Sequence, residues 1–207
     1  STSQVRLATE LLRVLTEELP HADASSAAAR AAASPPELLP VTDALSRYAG
    51  TPPDLFSRPE GLREAALELG MRVDTHETRE DLFQRILLTF VEPELPRDRP
   101  VFLTDYPALV PTLARTRGPL AERWELYLGG MELANCYSEE RDPAALERFL
   151  QVEGQRKEEQ ALVPHPPAKS LLEFASAPPS SGAALGVDRL IMALLGHEDI
   201  GGVIFFP

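Results

Sequence analysis

The chain has 207 residues, 43% of them hydrophobic and 25% charged, which is the composition of an ordinary globular protein. Its net charge of −12 argues against a large nucleic-acid interface, because proteins that grip phosphate backbones carry a basic face. The sequence shows no signal peptide and no apolar run near the ~20 residues that span a bilayer, and its single cysteine, Cys136, excludes an intrachain disulfide. We therefore expect a cytoplasmic protein without a membrane partner.

Apolar residues recur at helical spacing along much of the chain. The ranges that this periodicity predicts to be helical are 3–19, 42–50, 59–70, 78–91, 143–161 and 170–176. Residues 21–36 are alanine-rich and low in complexity, which indicates a linker or insertion, or a short helix that adds little to the core. Prolines exclude regular structure from 91–100, and the apolar run that follows, Val101–Tyr106, predicts a buried strand.

Two runs of alternating apolar residues lie on either side of Gly129 and Gly130, and this pattern predicts a β-hairpin. In the first run, Glu125 and Tyr127 lie on one face. The residues predicted on the opposite face are Trp124, Leu126 and Leu128.

The second run of the hairpin is ambiguous. Glu132, Asn135 and Glu139 follow one another at intervals of three and four residues, which suits one face of a helix. A strand aligns them only if it contains a bulge or leaves the sheet near Tyr137. The carboxylates of this hairpin indicate either a solvated strand face or a site for Mg²⁺ or a substrate ammonium group.

The stretch from Gly182 to Gly196 begins as a strand or tight turn and continues as a helix that Gly196 ends. The residues that form its predicted core face are Val187, Leu190, Ile191, Leu194 and Leu195. Arg189 points away from that face, at the positive end of the helix dipole, where it needs either a carboxylate partner or a bound anion. Residues 201–207 predict a short buried strand. The overall pattern is α+β, with a mostly antiparallel sheet flanked by helices.

The remaining motifs exclude several kinds of site. The four histidines are scattered without metal-ligand spacing, and the sequence contains no nucleophile elbow, phosphate-binding Walker loop or zinc-protease helix. Cys136 has no histidine close by in the sequence and is interpreted as a packed small residue.

The stretches Arg123–Asp142 and Ser181–Gly196, in this order and separation, resemble the catalytic domain of class II aminoacyl-tRNA synthetases, in the lysyl-tRNA synthetase branch. Residues 40–50, 91–95 and 100–107 support the resemblance, which covers 1–207 as a single domain. Within the branch, the chain is most similar to the short paralogues that attach lysine to elongation factor P.

The resemblance implies a role for each candidate site residue. It assigns Glu125 and Glu132 to ATP and its Mg²⁺, and Asn135 to the amino acid. It pairs Glu139 with the lysine ammonium group, and it places Arg189, with Gly186 in the same motif, at the ATP phosphates. The implied reaction is attack of the lysine carboxylate on the α-phosphate, giving lysyl-adenylate and pyrophosphate, and then acyl transfer to an acceptor.

Two departures from the family pattern qualify this expectation. Cys136 replaces a glycine that is usual beside Asn135, and the family's first two motifs, including the arginine that holds the α-phosphate, are expected before residue 1. The favoured hypothesis is a ligase that modifies a protein such as elongation factor P rather than tRNA. The alternative is a non-catalytic binding or regulatory module, and formation of a homodimer stays open.

Overall fold

A mixed sheet of six strands and seven α-helices form the part of the chain that the computed structural model describes, residues 2–18, 26–109, 112–160 and 169–204. The helices are α1 (Thr2–Glu18), α2 (Ala27–Ala32), α3 (Val41–Ala49), α4 (Gly61–Glu68), α5 (Arg79–Ile86), α6 (Pro143–Gln160) and α7 (Val187–Leu195). The strands are β1 (Glu37–Pro40), β2 (Val101–Pro107), β3 (Thr116–Arg117), β4 (Leu120–Leu128), β5 (Met131–Ser138) and β6 (Ser181–Leu185). This architecture confirms the predicted α+β fold.

The sheet runs in the order β1-β2-β4-β5-β6, with β3 paired to the start of β4. Only β1 and β2 are parallel; the other pairs are antiparallel, as the sequence predicts for most of the sheet. The predicted hairpin is confirmed, because Gly129 and Gly130 join β4 to β5 with positive φ angles of 63° and 87°, which glycine adopts without strain.

The sheet separates two hydrophobic clusters. The Trp124 face of the sheet packs against buried residues of α1, α2 and α7. The opposite face, here called the Glu125 face, packs at its β1-β2-β4 side against buried residues of α3, α4 and α5. The described helices that cover the Glu125 face therefore lie over the first strands of the sheet, while β5 and β6 carry the polar residues considered below.

Two shifts in strand pairing decide which side chains reach the Glu125 face. Between β4 and β5, Leu126 pairs with Ala134 but Tyr127 pairs with Glu132, so Leu133 is an extra, unpaired residue. Between β2 and β4, the pairing shifts at Asp105, a non-glycine residue with a φ of 55°. This left-handed residue turns the following side chain, Tyr106, into the cluster on the Glu125 face.

Several predicted helices have different ends or packing from those expected. The helix predicted over 78–91 is α-helical only to Ile86 and continues as a π-helical turn, Leu87–Val91, followed by a 3₁₀ turn over Glu92–Glu94. The alanines of α2 are part of the core rather than marginal to it, since three of the six residues are buried. The 21–25 part of that stretch lies outside the described residues, as do Leu19 and residue 161 of two other predicted helices.

The predicted core face of α7 is partly wrong. Val187 is 58% exposed, and Ile191 and Leu195 are each 38% exposed. The buried residues are instead Leu190, Met192, Ala193 and Leu194. The helix is held on two sides, by β5 and by α2, where the Ser26 hydroxyl donates to the Ala193 carbonyl over 3.1 Å. The buried residues of α7 are therefore those that face β5 and α2, and part of the predicted apolar face of the helix is left exposed.

The short buried strand predicted over 201–207 is also wrong where the structure describes it. Residues Ile200–Gly202 form a 3₁₀ turn, because the Asp199 carboxylate accepts from the Gly201 amide over 2.7 Å and caps it. Gly201 and Gly202 are exposed. Residues 205–207 lie outside the described ranges.

Candidate active site

The β4–β5 hairpin carries the candidate carboxylates on one side of the sheet. Trp124, Leu126 and Leu128 lie in the cluster on one face, and Glu125 and Tyr127 lie on the other, as predicted. Asn135 stands directly opposite Glu125 on the neighbouring strand. The unpaired Leu133 is buried beside Ala134 in the Trp124-face cluster, so the strand returns Asn135 to the side on which Glu132 lies. The structure thus has the bulged strand rather than the helical alternative.

Glu125 is buried, with 7% of its surface exposed, and both of its carboxylate oxygens have partners. The Arg123 guanidinium forms an ion pair with Oε1 and lies 4.7 Å from the centre of the Tyr106 ring. The Tyr106 hydroxyl donates to Oε2 over 2.5 Å, and the Tyr127 hydroxyl lies 3.0 Å from the same oxygen. The Tyr127 hydroxyl is also 3.0 Å from Oε1 of Glu92. A buried network therefore fixes the orientation of Glu125.

The bulge also positions Arg189. Its Nη1 donates to the Glu132 carbonyl oxygen over 3.2 Å and lies 3.7 Å from the Glu132 carboxylate. The next carbonyl, that of Leu133, accepts from the Gly186 amide over 2.8 Å and anchors the start of α7. Arg189 remains 56% exposed in its side chain, so its other guanidinium nitrogens are open to an incoming anion.

Asn135 and Glu139 are the remaining predicted residues. The Asn135 Oδ1 atom is buried without a hydrogen-bond partner among the described residues, which is costly unless a bound donor reaches it. Glu139 follows β5, and its Oε1 lies so close to Gly182 that a Cβ there would approach it to 2.5 Å. The absence of a side chain at Gly182 therefore gives Glu139 its place over β6.

A cleft of about 400 Å³ brings four of the six predicted residues together: Glu132, Asn135, Gly186 and Arg189 line it. Glu125 lies opposite Asn135 on the adjacent strand β4, and Glu139 follows the other end of β5. Cavities of about 310 and 680 Å³ lie elsewhere, on the Trp124 side of β4 and beside α2, so volume alone does not identify the site. The site is identified instead by the charges and the hydrogen-bonding groups of its residues.

Negative charge dominates the site. Burial raises the pKa of the Glu132 carboxyl, and the neighbouring Glu125 adds to the effect, while Arg189 opposes it. Burial likewise raises the pKa of Glu92, and burial alone raises that of Glu139. Groups whose ionisation is resisted by their surroundings are stabilised by a cation, so the cleft favours ligands that carry an ammonium group or a metal ion.

The carboxylates of the site fit a single mode of Mg²⁺ binding. Within the described ranges, no group of three or more His, Cys, Asp or Glu side chains could hold a metal ion. Mg²⁺ is usually held by one or two carboxylates together with substrate phosphates and water rather than by a protein cage. Glu132, with 39% of its side chain exposed, fits that arrangement. Glu125 fits it only if Arg123 releases its carboxylate.

The sequence did not identify Glu92, Tyr106 or Arg123 as parts of the site. Arg123 could have been found from its position two residues before Glu125 on the same strand face. Tyr106 could not, because its orientation depends on the irregular backbone at Asp105. Glu92 lies 3.0 Å from the Tyr127 hydroxyl only because of the π-helical and 3₁₀ turns that follow α5.

Comparison with known proteins identifies the family of the chain. The profile of the family described as tRNA synthetases class II (D, K and N) matches residues 4–207. An elongation factor P–(R)-beta-lysine ligase of Yersinia enterocolitica is 41% identical over 154 residues, which are 70% of this chain and 47% of the relative. The ligase of the same name from Salmonella paratyphi B is 35% identical over 179 residues, which are 83% of this chain and 55% of the relative.

The chain thus spans about half the length of the curated relatives that it matches. The match to the family profile nevertheless extends over almost every residue given, and it includes both the hairpin and the strand–helix unit that form the cleft. The chain belongs to the class II tRNA synthetase family of the D, K and N enzymes.

Proposed function

We propose that the protein containing this chain is a ligase that uses ATP to activate lysine or a lysine-like amino acid as an aminoacyl-adenylate. It then transfers the acyl group to an amine of a protein acceptor such as elongation factor P. Residues 1–207 would belong to one catalytic domain. The observation that carries the proposal is the juxtaposition, in one cleft, of Arg189, Glu132 and Asn135, whose side-chain oxygen has no hydrogen-bond partner within the described part of the chain.

Each residue has a role that suits its surroundings. The exposed nitrogens of Arg189 would bind ATP phosphates, and Glu132 would hold the Mg²⁺ that neutralises their charge. The Asn135 oxygen would accept from the α-ammonium group of the amino acid. Glu139 would pair with the side-chain ammonium group, since the described residues offer it no ion-pair partner. Binding the two reactants side by side would lower the barrier mainly through orientation and charge neutralisation.

The nature of the acceptor is supported by charge and by similarity. The names of the relatives specify elongation factor P as the acceptor and (R)-beta-lysine as the amino acid. The net charge of −12 disfavours tRNA, whose phosphates would be repelled, and it suits an acceptor with basic residues around the modified amine.

Isotope exchange between ATP and pyrophosphate tests the activation step. We expect the gene product that contains this chain to catalyse exchange with lysine or (R)-beta-lysine, and the Arg189→Ala variant to abolish it. Glu139→Gln should raise the KM for the amino acid by roughly 10- to 100-fold, because a charged hydrogen bond is lost. Glu147→Gln, on the surface helix α6, is the control. Absence of exchange with any amino acid would refute the proposal.

A non-catalytic, synthetase-like binding module is the second candidate. The closed ion pair between Arg123 and Glu125 favours it, because this pair withholds a carboxylate that the resemblance assigns to Mg²⁺. Calorimetry distinguishes the two candidates. A ligase must bind ATP–Mg²⁺ and the amino acid, whereas a gene product that binds neither would support the module.

A further inference from the structure

Two carboxyl groups approach a single tyrosine hydroxyl on the Glu125 face. The hydroxyl oxygen of Tyr127 lies 3.0 Å from Oε2 of Glu125 and 3.0 Å from Oε1 of Glu92. A phenol carries one hydrogen and can donate to only one acceptor at full strength. If both carboxyls were ionised, one of the two contacts would bring oxygen lone pairs together without a hydrogen between them, which is unfavourable in a buried site.

Counting the available hydrogens shows which of the two carboxyl groups carries a proton. Burial raises the pKa of Tyr106 and of Tyr127, and the charge of Glu125 raises both further, so each phenol keeps its hydrogen. Glu125 is the charged partner of Arg123 and already accepts from Tyr106. A second donation, from Tyr127, completes its contacts. The hydrogen between Tyr127 and Glu92 must then come from Glu92.

We infer that Glu92 is held as a neutral carboxylic acid that donates to the Tyr127 oxygen, while Tyr127 donates to Glu125. The chain of hydrogen bonds then runs in one direction, from Glu92 through Tyr127 to Glu125, and ends at the Arg123 guanidinium. Glu92 is a positioning residue: it acts on the site through Tyr127 and holds the Glu125 carboxylate in a single orientation.

The surroundings of Glu92 favour its neutral form. Burial raises the pKa of its carboxyl, the hydrogen bond with Tyr127 lowers it, and the charge of Glu125 raises it further, so that the net change is upward. Glu132 also interacts with it, as a third negative group on the same face. Among the described residues, the charged or titratable groups that interact with Glu92 are Tyr127, Glu125 and Glu132. The cation Arg123 lies beyond Glu125, with which it is paired.

The consequence for the reaction rests on the proposed function. When Glu92 ionises, it adds a negative charge to a site that must admit ATP phosphates, and it turns the Tyr127 hydrogen away from Glu125. Affinity for ATP should then fall at alkaline pH. The protonation state of Glu92, in contrast, does not depend on any activity and can be measured directly on the 207-residue chain.

NMR of protein labelled with ¹³C at the glutamate side-chain carboxyl provides this measurement. At pH 7 we expect one protonated glutamate resonance that disappears in Glu92→Gln and persists in Glu94→Gln, the exposed neighbour in the same 3₁₀ turn. If the glutamate resonance assigned to Glu92 is that of an ionised carboxylate at pH 7, the inference is wrong. It is equally wrong if the protonated resonance survives in Glu92→Gln.

The Tyr127→Phe variant shows the direction of the hydrogen bond. If Glu92 donates, loss of the phenol oxygen removes the acceptor of its hydrogen, and the pH at which Glu92 titrates should fall. If Tyr127 instead donates to an ionised Glu92, the same variant should raise that pH, which would overturn the inference. The two hypotheses predict opposite changes in the pH at which Glu92 titrates. The test therefore holds even if the variant is less stable, because the titration is followed only in the folded state.

Substitution at Glu92 also separates positioning from simple packing. Glutamine keeps a permanent N–H donor for Tyr127, so ATP–pyrophosphate exchange by Glu92→Gln should match the parent at neutral pH and lose the alkaline decline. Alanine removes the donor and should lower exchange at every pH. Equal losses in both variants would contradict a positioning role, whereas absence of exchange in the parent would contradict the proposed function and leave the NMR result valid.

Discussion

Glu125 carries its charge inside the protein, where desolvation of a single ion costs several kcal/mol. The cost is offset by one ion pair, two tyrosine hydroxyls and the position of Arg123 over an aromatic ring. These contacts involve residues from β2 and β4, and Tyr127 extends them to Glu92 in the turn that follows α5. Glu125 is consequently the point at which three separate segments of the chain are joined by polar contacts.

At this residue scale, removal of the counter-charge should be more harmful than removal of both charges. Arg123→Met should lower the free energy of unfolding by about 3–5 kcal/mol, because it leaves Glu125 buried and unpaired. Adding Glu125→Gln should restore a large part of the loss. Urea unfolding at neutral pH measures both changes. Arg117→Met is the control, since its side chain is 83% exposed and should matter by about 0–1 kcal/mol.

At the scale of elements, the hairpin illustrates what the sequence could and could not predict. Period-two alternation and the Gly129-Gly130 turn were sufficient for β4 and for its two faces. The same pattern left β5 undecided, because a bulge is a property of two paired strands and not of one run of residues. The orientation of α7 was likewise beyond the sequence, since its buried arc is set by contacts with both β5 and α2.

The candidate site residues were predictable to a similar degree. Glu132, Asn135, Gly186 and Arg189 were identified from motifs and do lie around one cleft. Glu92 and Tyr106 required the three-dimensional structure, because each joins the Glu125 network through a local irregularity of the backbone. Glu92 contacts Tyr127, 35 positions away, and Tyr106 contacts Glu125, 19 positions away. No spacing rule for helices or strands relates residues so far apart.

The close approach of β6 to Glu139 leads to a prediction at the same scale. Gly182→Ala would place a methyl group 2.5 Å from the present position of Glu139 Oε1, so the carboxylate must move. Because the displaced atom ends a flexible side chain, we expect little change in thermal stability. Lysine affinity, measured by calorimetry, should fall about tenfold or more. Ala183→Val, at the neighbouring exposed position, should change neither quantity, and unchanged affinity in Gly182→Ala would exclude Glu139 from the binding site.

At the scale of the whole molecule, carboxyl groups with opposite pKa changes shape the dependence of stability on pH. Burial opposes ionisation of Glu122, but the hydrogen bonds from Arg115, Ser138 and Arg117 prevail and lower its pKa to about 2. A lowered pKa in the folded state stabilises the protein above the ordinary pKa of glutamate, and this contribution is lost as pH falls toward 2. Glu92 and Glu132 have raised pKa values, so their contributions are lost as pH rises.

Acid unfolding should therefore depend strongly on Glu122. We expect Glu122→Gln to lower the free energy of unfolding at pH 7 by roughly 2–3 kcal/mol and to have little effect near pH 2, so that the acid limb becomes shallower. Urea titrations between pH 2 and pH 7 measure the difference. Glu60→Gln is the control, because its pair with Arg63 is long, at 3.7 Å, and its side chain is 68% exposed. Parallel pH profiles for Glu122→Gln and the parent would contradict the assignment.

The acidic character of the molecule also bears on its surroundings. Within the described ranges, every helix is too short or too polar to cross a membrane. A net charge of −12 raises the local concentration of cations at the surface, which aids encounters with Mg²⁺, with lysine and with basic proteins. Encounter rates with such ligands should therefore decrease as ionic strength increases.

The extra residue in β5 has a consequence for how the gene can vary. Deletion of Leu133 would restore a regular ladder with Glu132 still opposite Tyr127, but it would remove the Leu133 carbonyl that accepts from the Gly186 amide and anchors the start of α7. Insertion of a further residue would shift Glu132 out of its pairing with Tyr127, because β4 has no residue to oppose it. Substitutions between Gly130 and Asn135 can be absorbed by side-chain repacking, whereas length changes cannot. In a library of random variants selected for function, in-frame insertions and deletions should be much rarer in this segment of β5 than in the loops.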